Sequence, residues 1–259
     1  MIKRFFSQAW LYHKGRTAAF HTVEFLCFDV GYPIITLIFY CMLASYSFQT
    51  TDLTHWVIGN AFLMCTNTCV FHLGSVFTGE RQFGRLRSIV AAPCGKLPLV
   101  LASGVFPALL AAFSVAGGFV VGGFVFGIDF TGIHMGWMVL TILCAMAAAT
   151  CFGLFLAVLG LLTDSMHLVL NIVSYLLMIF TGAEFPVTQL PFVGQVLSRM
   201  LPLTRSIQAM NLLFLGDRSG FTELLLDELC VAAAYALLAW GIFGTAEKIC
   251  RRSGKLDLF

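Results

Sequence analysis

Long apolar runs alternate with short polar breaks along most of this chain. The runs cover residues 23–46, 55–77, 97–127, 135–162, 168–183 and 229–246. Most of them reach the roughly 20 residues that an α-helix needs to cross a bilayer. The pattern predicts an all-α membrane protein with six transmembrane helices in a single domain over residues 1–259. Before the first run, Ile2, Phe5, Phe6, Ala9 and Trp10 fall on one helical stripe, with Lys3, Arg4, Lys14 and Arg16 as a basic side. That amphipathic pattern predicts an interfacial helix within residues 1–20, lying in the headgroup plane. Pro33 is expected to kink the first span.

The breaks differ in character. Residues 47–54, 128–133 and 163–167 are short and turn-like. After the fifth run, which is short for a full crossing, comes a Pro-punctuated stretch at 184–206. Its apolar residues Phe185, Leu190, Phe192, Val193, Val196, Leu197 and Met200 are interrupted by polar ones. This predicts an outer re-entrant or interfacial hairpin between spans five and six. Residues 203–220 look the most soluble-like, and the last span is expected to begin only after Asp227 and Glu228. The longest polar interval of the first two thirds is 78–96, TGERQFGRLRSIVAAPCGK. It carries Arg81, Arg85, Arg87 and Lys96 against the single acid Glu80.

Charge placement orients the chain. Of 15 Lys and Arg, four precede the first run, four lie in 78–96 and four follow the last run. Cytoplasmic loops collect basic residues, so both termini and the 78–96 loop are expected in the cytoplasm. The basic N-terminus is not followed by a short apolar region with a small-residue cleavage site, so no cleaved leader is expected. Composition agrees with a lipid solvent, at 59% hydrophobic and 11% charged. A net charge of +2 gives no reason to expect nucleic acid as a partner.

Several runs carry more than apolar bulk. Asn60, Thr66, Asn67, Thr68 and His72 make the second unusually polar, serving either interhelical packing or a pathway. Glu24 and Asp29 open the first, and Asp29 must face protein or water. Gly118/Gly122 and Gly123/Gly127 in the third are small-xxx-small pairs suited to close helix approach.

The sequence carries no catalytic or metal-binding motif. The nine cysteines are irregularly spaced and mostly apolar-flanked, which fits reduced core thiols, Cys65 and Cys69 included. Gly79 and Gly84 have the spacing of a phosphate loop, but Arg85-Leu86 stands where Lys-Ser/Thr is needed. The scattered histidines fit headgroup-level polar residues better than metal ligands. No enzyme, no metal site and no cofactor in this chain is expected.

Two stretches resemble the type-2 integral-membrane permeases of ATP-binding-cassette exporters. One is Glu80-Arg81-Gln82-Phe83-Gly84-Arg85-Leu86, running on to Ala91-Ala92-Pro93. The other is Thr181-Gly182-Ala183-Glu184-Phe185-Pro186 through Pro191, followed by Leu201-Pro202-Leu203-Thr204. The resemblance implies a pore built from two permease subunits, identical or not, with separate cytoplasmic ATPase subunits that hold ATP and Mg. It implies that 78–96 is the coupling loop, with Glu80, Arg81, Gly84, Arg85, Leu86 and Pro93 as its contact residues. By the same resemblance the hairpin is an outer gate, marked by Glu184, Phe185, Pro186, Pro191 and Pro202. Phe83 and Arg85 make the loop bulkier and more basic than is usual in the family, and Glu184 places a charge where many members are neutral. A substrate path is expected along the first, second and fifth spans, at Asn60, Asn67, Asn171, Tyr175 and Phe180. For each of these, interhelical packing is an equal alternative. The expected function is export of a hydrophobic or amphipathic compound (a drug, antibiotic, lipid or lipid-linked glycan) across the cell membrane. A secondary transporter is the first competing class; it would need inner charges such as Asp29 and Asp164, and internal repeats that the chain lacks. A non-transporting membrane partner or immunity protein is the second, and it predicts no ATPase.

Overall fold

The structure, a computed structural model, describes residues 7, 9–10, 14, 30–82, 84, 96–130, 132–163, 165–217 and 219–252. Among them all regular structure is helical. The main elements are α1 (Tyr32–Phe48), α2 (Thr54–Gln82), α3 (Lys96–Phe126), α4 (Met135–Leu159) and α5 (Met166–Phe180). They continue with α6 (Phe192–Met200), α7 (Thr204–Phe214) and α8 (Phe221–Arg252). By length and composition, α2, α4, Gly104–Phe126 of α3 and Phe221–Thr245 of α8 can cross a membrane; α1 and α5 are shorter apolar helices.

Burial separates inner helices from outer ones. About two thirds of the apolar window is buried in α2 and in α4, against 28% in α3 and 22% in α8. Helices α2 and α4 therefore form the centre, and the others wrap it with lipid-facing surfaces. Small residues permit the close approach. A side chain at Gly153 of α4 would strike the Cys69 carbonyl oxygen of α2, and one at Gly118 of α3 would lie 2.7 Å from Met64 Sδ. Gly122 likewise faces Val57, so the Gly118/Gly122 pair packs on α2. Gly127 instead ends α3 in a left-handed turn at φ 66° with open space around it. Aromatic rings fill the outer core, with Phe62 edge-on to Phe119 at 5.8 Å and Phe214 against Phe119 and Phe130.

Several expected boundaries move. Helix α2 does not stop at Phe77 but continues through Thr78, Glu80 and Arg81 to Gln82. The soluble-looking stretch after Leu203 is the helix α7, with Ile207, Met210 and Leu213 buried against α2, α4 and α8. Helix α8 begins at Phe221, so Asp227 and Glu228 lie inside it. Pro33 sits in the first turn of α1, where a missing N–H costs no helical bond. Midway along α2, Thr66–His72 widens into π-helical turns, a rare conformation that is common at functional sites.

The expected interfacial helix is described only at Ser7, Ala9, Trp10 and Lys14, where the Trp10 ring meets Phe106 of α3 at a tilt, with ring centres 5.6 Å apart. Glu24, Asp29, Asp164, Arg85, Leu86 and Pro93 lie outside the described residues.

Candidate functional site

A cleft of about 230 Å³ lies between α1, α2 and α5. Running antiparallel, α1 and α2 bring Tyr32 near Phe71 at one end and Tyr40 near Asn60 at the other. Helix α5 closes the third side with Asn171, Ser174, Tyr175 and Met178. The cleft thus gathers Asn60, Asn67, Asn171 and Tyr175, four of the five residues expected along a path. The fifth, Phe180, packs elsewhere, its ring against Gly194 of α6.

The lining is polar in an unusual way for lipid surroundings. Asn60 and Asn171 each donate an amide N–H to the carbonyl one turn back, Trp56 and His167 respectively, at 2.9 Å. This self-satisfaction lets an amide sit in an apolar helix without a partner helix. Tyr175 is 63% exposed, and Asn171 and Tyr32 are exposed too, so the cleft opens sideways. The π turns of α2 carry Asn67 and Phe71 into it.

Glu184 stands at the end of the cleft that holds Asn60. Gly59 makes this possible. Its missing side chain lets the Ala183 backbone lie directly on α2, and the next residue along each chain is then Asn60 and Glu184. Burial pushes the Glu184 carboxyl above the usual carboxylate range, and the Asn60 amide partly offsets this by favouring the charged form. One carboxylate oxygen, Oε1, is buried without a hydrogen-bond partner.

From Glu184 the chain folds into a compact unit. Gly182 takes φ 83°, Pro186 precedes a single 3₁₀ turn at Val187–Gln189, and Pro191 precedes α6. Phe185, Pro186 and Pro191 are exposed, while Pro202 is buried. Helix α6 turns Gly194 and Ser198 inward and leaves Phe192, Val193 and Met200 exposed. Its end is tied to α8 by the Tyr235 hydroxyl, which donates to the Met200 carbonyl at 2.9 Å.

The join between α6 and α7 contains a residue that the sequence pattern did not single out. Glu228 of α8 is completely buried. Its carboxylate accepts from the Leu203 N–H at 2.6 Å and the Arg205 N–H at 3.3 Å. It therefore caps α7 from another helix, satisfying the open N–H groups of the first turn and complementing the positive end of the helix dipole. Leu203 is held at φ 73°, a strained value for a branched side chain. Arg205 adds an ion pair to Asp227 at 3.8 Å and donates to the Arg199 carbonyl at 2.8 Å. The signal in the sequence was an acid pair inside an apolar run, read as an edge.

At the opposite end of α2, Glu80 and Arg81 are both buried. Arg81 is 4% exposed and donates through Nη2 to the Leu161 carbonyl at 2.8 Å and the Gly160 carbonyl at 3.5 Å. These are the carbonyls that end α4, where a cation is favoured by the helix dipole. Arg81 thus joins the ends of the two central helices. Gly84 follows at φ 67°, a left-handed conformation suited to glycine.

An all-helical, multi-pass membrane protein with apolar central helices and no metal-holding cluster among the described residues is the class defined by this fold. Residues 17–215 match the family of ABC-2 type transporters, more than half of the chain, and the chain belongs to that family. It is a membrane permease of the ATP-binding-cassette type. No protein of curated function matches it.

Proposed function

We propose that the chain is the pore-forming subunit of an ATP-driven exporter that moves hydrophobic or amphipathic compounds out of the cytoplasm or inner leaflet. The cleft carries the reading, because it collects polar groups between the central helix α2 and the outer helices α1 and α5. Helices α1, α2, α3, α4, α5 and α8 make six crossings. Both termini and residues 78–96 face the cytoplasm, in line with the basic residues there. Two permease subunits, identical or not, pair in the membrane with two ATPase subunits below them, which hold ATP and Mg.

In this mechanism the segment 78–96 is the point of purchase for the ATPase, through Gly84, Arg85, Leu86 and Pro93, while Glu80 is buried and supports the loop from within. Arg81 passes the motion inward, since a push on the end of α2 also moves the end of α4. Tilting the two central helices changes the width of the cleft and shifts Gly59 against Ala183, which carries the gate of residues 184–206 with it. Closure of the ATPase pair thereby opens the outer exit. At about 22 Å, α5 is the shortest of the six crossings, which leaves room for the gate within the outer half of the bilayer.

Purification from native membranes in mild detergent, followed by an ATP hydrolysis assay, tests the assembly. An ATPase should co-elute with the chain. Proline cannot adopt the positive φ of Gly84, so Gly84→Pro should leave membrane insertion unchanged while abolishing substrate-stimulated hydrolysis. A chain that elutes with no ATPase and no hydrolysis refutes the exporter.

A further inference from the structure

The walls of the cleft carry no charge, and they are aromatic. None of its described lining residues is acidic or basic, while Tyr32, Tyr40, Phe71 and Tyr175 contribute rings along its length. Behind the Asn60 end, not itself part of the lining, stands Glu184, brought there by the contact of Ala183 on Gly59. Its Oε1 has no hydrogen-bond partner although it is buried. A carboxylate withdrawn from water without a counter-charge is costly. The faces of tyrosine and phenylalanine rings attract cations, more strongly when water is excluded. An anion would be repelled by Glu184 and would find no cationic side chain among the described lining residues.

We propose that the cleft selects amphipathic cations, with Glu184 as the specificity-determining residue. The positive head lies against Tyr40 at the Asn60 end and supplies the Glu184 carboxylate behind it with a counter-charge that no described lining residue provides. The apolar body lies along Leu37, Leu63, Met64 and Phe71. Asn60 holds the carboxylate in place from the cleft floor. Because Glu184 begins the segment 184–206, occupancy of the head site acts on the gate directly. This inference rests on the cleft being the substrate path.

Two ions of nearly equal size and opposite charge separate the possibilities. The full chain in lipid nanodiscs is titrated with tetraphenylphosphonium and with tetraphenylborate, and the signal of empty nanodiscs is subtracted. Tetraphenylphosphonium should bind at least tenfold more tightly than tetraphenylborate. Glu184→Gln should abolish that preference, Glu184→Asp should keep it, and Tyr175→Ala should weaken binding without inverting it. Equal binding of both ions to the wild type overturns the cation selectivity and leaves the cleft as a path. Binding of neither ion overturns the path as well. A preference that survives in Glu184→Gln removes Glu184 from the assignment.

Discussion

Glu228 and Arg81 show how a charged side chain is accommodated in the interior of a membrane protein. Each is met by backbone groups at a helix end: Glu228 by the first N–H groups of α7, Arg81 by the last carbonyls of α4. A helix terminus is a partial charge already in place, and it favours each of these buried side chains in its charged form. Replacing Glu228 by leucine fills the volume but strands two buried N–H donors, at about 1–3 kcal/mol each. Glu228→Leu should therefore lower the midpoint of thermal unfolding in detergent by roughly 5 °C or more. Glu228→Gln keeps one acceptor oxygen and should fall between. Asp52, at the other end of the burial scale, is held below the usual carboxylate range by the backbone and side chain of Thr54. Hydrophobicity alone cannot distinguish a buried acid from a loop acid. Both lower the local apolar average, and only the position of α7 makes Glu228 an interior group.

At the level of elements, the central helices were legible because their runs at 55–77 and 135–162 are long and contain no Asp, Glu, Lys or Arg. Helix α4 begins at Met135 as expected and ends at Leu159, within three residues of the expected Leu162. Helix α7 was not legible. Thr204, Arg205, Ser206, Gln208 and Asn211 depress its hydropathy, yet Thr204 donates to the Ser198 carbonyl and Asn211 to the Ile207 carbonyl, each at 2.9 Å. Polar groups satisfied so close at hand bury almost as readily as small apolar ones. The extension of α2 past Phe77 was hidden in the same way, by the polarity of Glu80 and Arg81. What the run of glycines conveyed was close packing, without its address. The tightest contact falls at Gly153, against the Cys69 carbonyl in the π turns. Gly153→Ala should force α2 and α4 apart, costing about 1–3 kcal/mol. The same change at Gly136, also in α4 but facing open space, should cost nothing measurable. Paired unfolding curves of the two variants make the comparison.

For the whole molecule, the pattern of apolar runs conveyed the class of protein, and four of the five residues expected along a path line one cleft. The carboxylate cap of α7 was invisible because it joins residues 25 positions apart through a three-dimensional turn. That cap bears on how the protein is made. A segment entering the bilayer with an acid near its middle is disfavoured by about 2.5–3.5 kcal/mol on insertion scales. Residues 221–252 carry Glu223, Asp227 and Glu228 in their first third. Synthesis, however, delivers the N–H groups of Leu203 and Arg205 before Glu228 leaves the ribosome. The last crossing therefore enters the membrane as half of a pair, its acid neutralised by a helix already waiting. In a glycosylation-based insertion assay, residues 203–252 should integrate more efficiently than residues 221–252 alone. Glu228→Leu should close the gap, making the final segment independent of its predecessor.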